Sequence, residues 1–167
     1  MREEITRISV ICTGNICRSP MAEVLLRQFI AEDPFLKDRV SVSSAGTANW
    51  HVGDPMDPRA RAALDQAGFE GAGTPAAFAD AAYLNRQDLI VVMTREHVHE
   101  VTQRLDNPAT EVVMLRNLLQ PGLDLDVADP YYGTLEDFSS CLEVLRAGTQ
   151  CLTSEFRRRL GAGSLEA

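Results

Sequence analysis

Along this chain, short unbroken apolar runs alternate with longer segments whose apolar positions recur at a helical repeat. Ile8-Ser9-Val10-Ile11-Cys12 is bounded by a Gly/Asn turn and predicts a buried strand. Ser19-Pro20 then opens a helix, with Ser suited to the N-cap and Pro to the first helical position, and Met21, Val24, Leu25 and Phe29 fall on one face. Val40 to Ser44 alternates like a strand and stops at Ala45-Gly46. A second helix is expected from Asp57-Pro58 through Ala60, Ala63, Leu64 and Ala67, with Gly68 as its stop. Residues 68–82, rich in Gly and Ala, read as a loop with one helical turn at most.

The second half repeats the pattern. Leu89-Ile90-Val91-Val92-Met93 is an apolar strand, followed by a polar helix from about Arg95 to Leu105 and a fourth strand from Glu111 to Leu115. After a loop through Gly122 and Asp129-Pro130, Thr134 is placed to cap a last helix with Phe138, Leu142, Leu145, Leu152 and Phe156 near one stripe. Gly148 is its weak point, and residues 161–167 are expected to fray. Strands that are apolar throughout and separated by helices make a parallel sheet covered on both faces, an α/β architecture. No repeat, linker or second domain interrupts it, so residues 1–167 read as one domain, within the roughly 100–200 residues usual for one.

Composition narrows the function. Sixteen Lys plus Arg against 24 Asp plus Glu leave a net charge of −8, which disfavours nonspecific binding to nucleic acid. No apolar run approaches the roughly 18 residues of a membrane span, and Met1-Arg2-Glu3-Glu4 does not read as a secretory signal, so a cytoplasmic location is expected. Four cysteines and three histidines form no recognised metal-ligand set, and zinc at Cys12 and Cys17 is disfavoured. His51, His97 and His99 read as solvated or locally bonded.

In parallel sheets ligands bind beyond the carboxyl ends of the strands, at the switch point in strand order. There stands Cys12-Thr13-Gly14-Asn15-Ile16-Cys17-Arg18-Ser19-Pro20, between a strand and a helix N-terminus. Backbone N–H groups of a tight loop, joined by those of the helix start, cradle a tetrahedral oxyanion. Gly14 and Asn15 are the residues suited to positive φ, and Arg18 offers a planar fork for two anion oxygens. The helix dipole, the amides and Arg18 all favour the thiolate of Cys12, a nucleophile placed for in-line attack on a bound phosphoryl group. No G-x-x-x-x-G-K-[ST] is present, so this is not a nucleotide-binding P-loop. Asp129, beside Tyr131 and Tyr132, is the candidate proton donor to the leaving oxygen.

These motifs resemble the low-molecular-weight protein tyrosine phosphatases, bacterial members in particular. The likeness rests on Cys12 through Glu23, Ser43-Ser44-Ala45-Gly46-Thr47, Asp54-Pro55 and Asp126-Val127-Ala128-Asp129-Pro130-Tyr131-Tyr132-Gly133. It implies a three-layer fold with a four-stranded parallel sheet in the order 2-1-3-4 and the phosphate loop between the first strand and first helix. It further implies that Cys12 forms a phosphocysteine while Arg18 and the loop Thr13, Gly14, Asn15, Ile16 and Cys17 hold the phosphate. Asp129 would then act as general acid and base, Ser19 would bond the departing thiolate, and Trp50, Tyr131 and Tyr132 would wall the cleft. The substrate implied is a tyrosine-phosphorylated protein, with a tyrosine kinase as a further partner, and no cofactor or metal is required. Cys17 is a candidate for a reversible disulfide with Cys12.

The chain departs from the family pattern in having no histidine between His51 and His97, and Thr94 where an Asp often follows the third strand. Asn15 is therefore expected to be held differently. Two relatives of the same fold remain as alternatives. Arsenate reductases need a resolving cysteine pair near the third strand, where this chain has none, and phosphoarginine phosphatases tend to carry Thr at the position of Ile16. A noncatalytic phosphate-binding module would lose Cys12 or Asp129, and a flavodoxin-like carrier would not need Cys and Arg at this spacing.

Overall fold

The computed structural model describes residues 4–165, with side chains described through Gly161. Residues 1–3 and 166–167, which carry part of the expected leader-free N-terminus and of the expected tail, lie outside the described residues. Four strands, β1 (Thr6–Cys12), β2 (Val40–Gly46), β3 (Leu89–Val92) and β4 (Glu111–Met114), form one parallel sheet in the order β2-β1-β3-β4. β1 is central, so its C-terminus opens between two neighbours: Cys12 pairs with Gly46 on β2, and Ile11 with Val92 on β3.

The period-two alternation of the strands divides the core. Ile8, Val10 and Cys12 point to the face covered by α1 (Arg18–Glu32), α2 (Pro58–Gln66) and α5 (Leu135–Leu165). Ile11, Ile90 and Val92 point to the other, covered by α3 (Ala81–Asn85) and α4 (Arg95–Arg104). These are the three layers expected for a sheet buried on both sides. Asp57 caps α2 by accepting from the Arg59 N–H, with Pro58 in the first turn, and Thr94 caps α4 by accepting from the His97 N–H.

Several boundaries differ from the sequence pattern. α1 begins at Arg18, so Cys17 stands at the cap position, where no side chain caps the helix, and Ser19 lies in the first turn with its hydroxyl engaged in the loop. The helical turn expected within 68–82 starts at the end of that range, as α3, capped by Asp80. A 3-10 turn, Leu115–Leu118, follows β4. Gly148 does not weaken α5, since a Cβ there would lie 2.6 Å from Leu115, so its bare Cα is what lets the turn after β4 pack against the helix. α5 also continues past Gly161 to Leu165, beyond the expected point of fraying. No helix among the described residues is long and apolar enough to cross a membrane.

Candidate active site

The loop after β1 is shaped by its neighbours on β2 and by its own side chains. The Cys12 carbonyl accepts from Thr47 N at 2.9 Å and the Thr13 carbonyl from Ala48 N at 3.0 Å, which bends the chain out of the sheet. Gly46 permits that approach, because a Cβ there would sit 2.4 Å from the Thr13 carbonyl oxygen. Asn15 holds the expected positive φ, at 58°. Gly14 does not. Its small size is used instead for contact, as a Cβ would lie 3.1 Å from the His51 ring. Among the described residues, the amides of Gly14, Asn15, Ile16 and Cys17 donate to no group of the protein, as an anion cradle requires.

Asn15 is the brace of this loop. Its amide donates to Ser19 Oγ at 2.7 Å and Ser44 Oγ at 2.9 Å, and its Oδ1 accepts from Ala77 N at 2.9 Å. Behind it lies Glu23, fully buried, which accepts from Ser44 Oγ at 2.7 Å and Thr74 Oγ1 at 3.2 Å and pairs with Arg27 at 2.9 Å. Asn15 is thus held without a histidine, by the Ala77 backbone and the hydroxyls of Ser19 and Ser44, with Thr74 reaching Glu23 behind it. Because Ser19 accepts from Asn15, its own proton is free for Cys12 Sγ, 2.9 Å away.

Arg18 is 4% exposed and points across the site. Its Nη1 donates to the Val127 carbonyl at 3.0 Å, and Nη2 lies 3.4 Å from the Asp129 carboxylate. Its buried Nε has no partner among the described residues, leaving one donor for a bound anion. Asp129 itself accepts from Tyr131 N, and the segment before it is fixed by the bond from Val127 N to the Met93 carbonyl at the end of β3.

A cleft of about 250 Å³ joins these groups, lined by Cys12, Gly14, Ile16 and Arg18 at its base and by Trp50, His51, Asp129, Tyr131 and Tyr132 higher up. The aromatic residues form a rim more than deep walls: Trp50 is 75% and Tyr132 94% exposed, and the two tyrosine rings meet edge to face at 4.9 Å. Arg59 secures that rim. It pairs with Asp57 at 2.9 Å, reaches the Gly133 carbonyl at 3.4 Å and lies over the Tyr131 and Phe138 rings. Its hydrogen bonds hold the Asp57 carboxyl below the usual carboxylate range.

Cys12, Thr13, Gly14, Ile16, Cys17, Arg18, Asp129, Tyr131 and Tyr132 converge on this cleft. Asn15 and Ser19 are buried behind it and shape the loop instead of lining it. The histidines do not behave alike. His51 bonds Asp54 nearby yet lines the cleft, and His99 bonds Gln103 one turn away. His97 is neither solvated nor locally satisfied, because the register of β1 beside β3 carries it inward to Thr13, 84 residues away. Arg59 did not enter the sequence analysis, and Glu23 and Ser44 entered it within the motifs of the resemblance, with no role assigned. Glu23 also carried a local signal, an acidic residue flanked by the apolar positions of α1. Cys17 and Cys141 are buried, which pushes the Cys17 thiol strongly up and that of Cys141 up to about 12.

Residues 7–161 match the family model described as low molecular weight phosphotyrosine protein phosphatase. The chain belongs to that family. A low molecular weight protein-tyrosine-phosphatase of Streptomyces coelicolor is 37% identical over 158 residues, covering 92% of this chain and 95% of the relative. The low molecular weight protein-tyrosine phosphatase A of Mycobacterium tuberculosis is 41% identical over 142 residues, 84% of this chain and 85% of its own. Among solved structures, YfkJ from Bacillus subtilis superposes with a TM-score of 0.82 at 26% identity, over 95% of this chain and 99% of that one. The low-molecular-weight phosphatases are cysteine-dependent and metal-independent enzymes, and the four-stranded sheet with its phosphate loop between β1 and α1 is their fold.

Proposed function

We propose that this phosphatase hydrolyses phosphotyrosine in proteins with Cys12 as nucleophile, Arg18 as phosphate clamp and Asp129 as general acid and base. The Cys12 thiolate attacks phosphorus as the bond to the phenolic oxygen breaks, and the Asp129 carboxyl gives its proton to that oxygen. A phosphocysteine remains. Asp129, now a carboxylate, takes a proton from the attacking water, and the S–P bond breaks to return the thiolate, which accepts a hydrogen bond from Ser19. Arg18 and the free amides of residues 14–17 hold the equatorial oxygens, so positioning and charge stabilisation supply most of the acceleration.

One observation carries this reading: a single cleft joins Cys12, Arg18 and Asp129, with Ser19 2.9 Å from the sulfur. Ile16 favours a phenyl ring over a guanidinium at the cleft base. An arsenate reductase would need a resolving thiol pair, whereas Cys141 is buried and Cys151 donates to the Leu118 carbonyl. Trp50, Tyr131 and Tyr132 would be covered by the ring and flanking residues of the substrate. A tyrosine kinase makes that substrate, and the reducing cytoplasm suits a nucleophilic thiol. The test is phosphate release from a phosphotyrosine peptide, with chelator and reductant, by wild type beside Cys12→Ser. Release by wild type alone supports the reading, and no release from folded wild type overturns it.

A further inference from the structure

The first turn of α4 reaches into the nucleophile loop. His97 is 2% exposed, and its Nε2 lies 2.8 Å from Thr13 Oγ1. Its backbone is fixed by Thr94, whose hydroxyl accepts from the His97 N–H, so the ring is not needed to cap the helix. Its other nitrogen, Nδ1, is buried without a partner among the described residues. A ring that leaves one nitrogen unsatisfied is costly in a core, and what it gains is the contact with Thr13.

Thr13 follows the nucleophile and opens the cradle. One side is tied to the sheet through its carbonyl and Ala48 N, at 3.0 Å, and the other through its hydroxyl and His97. The need for such ties is electrostatic. Successive amides that converge on an anion repel one another when the anion is absent, so the open shape has to be held from outside. Asn15 does this for the middle of the loop. Nothing else described bonds the side chain at its start. The same turn of α4 also donates Arg95 N to Asp126 Oδ1 at 2.9 Å, three residues before the proposed acid.

We propose that His97 is a positioning residue that holds Thr13, and through it the start of the phosphate cradle, in its anion-binding shape. The proposal rests on the phosphatase reading of the site. Burial, together with the charge of Arg18, lowers the ring's basicity to about 4, against the opposing pull of Asp126 and Asp129, so the contact is made by a neutral imidazole.

The test uses the intact protein and two readouts. One is kcat/KM with a phosphotyrosine peptide; the other is protection of Cys12 from iodoacetamide by inorganic phosphate, which needs no turnover. Thr13→Val removes the hydroxyl at constant shape. His97→Gln places an amide nitrogen near the position of Nε2, whereas His97→Asn places it near Nδ1. Thr13→Val and His97→Asn are each expected to weaken phosphate protection and kcat/KM about tenfold, the scale of one lost hydrogen bond. The double variant should lose no more than either single, and His97→Gln should restore most of both readouts. Wild-type affinity in Thr13→Val, multiplicative losses in the double variant, or equal losses in the Gln and Asn variants would each overturn the proposal. Should His97→Asn not fold, Thr13→Val decides alone. Phosphate protection without peptide turnover in wild type would sink the phosphatase reading, and the His97 proposal would still be judged on protection.

Discussion

Arg18 and Asp129, 111 residues apart, meet at 3.4 Å across the mouth of the cradle, and the same guanidinium donates to the carbonyl of Val127. The proposed clamp therefore also anchors the segment that carries the proposed acid. Removing it should disturb two functions together. Arg18→Ala is expected to lose both turnover and phosphate protection of Cys12, while Cys12→Ser loses turnover and still binds phosphate by calorimetry. Phosphate binding retained in Arg18→Ala would refute the clamp.

As the proposed acid, Asp129 acts on the leaving oxygen in the first step, so its loss in kcat/KM should depend on the leaving group. Asp129→Asn is expected to slow hydrolysis of phenolic phosphates by roughly 10²–10⁴, the usual worth of a general acid. The deficit should shrink as the phenol becomes more acidic, and rates across a series of substituted aryl phosphates measure this. A constant deficit would mean that the acid lies elsewhere.

Gly46 is on β2, yet its substitution should be felt in the loop. A Cβ there meets the Thr13 carbonyl oxygen at 2.4 Å and Asn15 N at 3.2 Å, both backbone atoms with little room to move. Gly46→Ala should push the cradle out of shape, lowering phosphate affinity more than tenfold and stability by about 1–3 kcal/mol. Thermal melting and Cys12 protection give the two figures. An active variant of unchanged stability would show that the loop can shift.

His97 predicts a pH dependence of stability. Its basicity falls from an ordinary 6.5 to about 4 in the fold, first through burial and then through Arg18, with Asp126 and Asp129 acting the other way. The unfolded chain thus binds the proton more readily, and stability falls as pH drops from about 6.5 towards 4, by at most about 3 kcal/mol. In His97→Gln this slope should flatten, as followed by denaturant unfolding at several pH values. An unchanged slope would place the ring in water.

Cysteine reactivity should be selective. Burial, and after it the charge of Asp57, keep Cys17 in its neutral thiol form, whereas Cys12 has Ser19 and the loop beside it. Dilute iodoacetamide at neutral pH should label Cys12 first, by peptide mapping, and Cys17 only on unfolding. Equal labelling of the two would contradict the geometry.

The parts of the site that were legible in the sequence are those whose neighbours in space are neighbours along the chain. Cys12 to Ser19 is one strand-loop-helix passage, so its chemistry follows from local geometry, and the apolar runs of β1 and β3 dictate a sheet buried on both faces. Asp129 was legible through its own short motif and the resemblance it completes. Local pattern misjudged Ser19, Gly14 and Gly148, because a cap, a positive φ and a helix break are local expectations. A hydroxyl shared between Cys12 and Asn15, a ring of His51 and a side chain of Leu115 are not.

What tertiary structure alone decided is which distant side chains brace the loop. Thr13 with His97, Ser44 and Thr74 with Glu23, and Arg59 with Gly133 are separated by 84, 21, 51 and 74 positions. No periodicity records such pairs. The contacts of Thr13 and Ser44 follow from the order β2-β1-β3-β4, which sets β2 and the turn after β3 on either side of one loop. Those of Thr74 and Arg59 follow from the packing of helices and loops around it. Hydrophobic pattern specifies that each strand is buried, since burial is a property of the single residue. A hydrogen bond needs two partners, and only the packed fold brings the second one within reach.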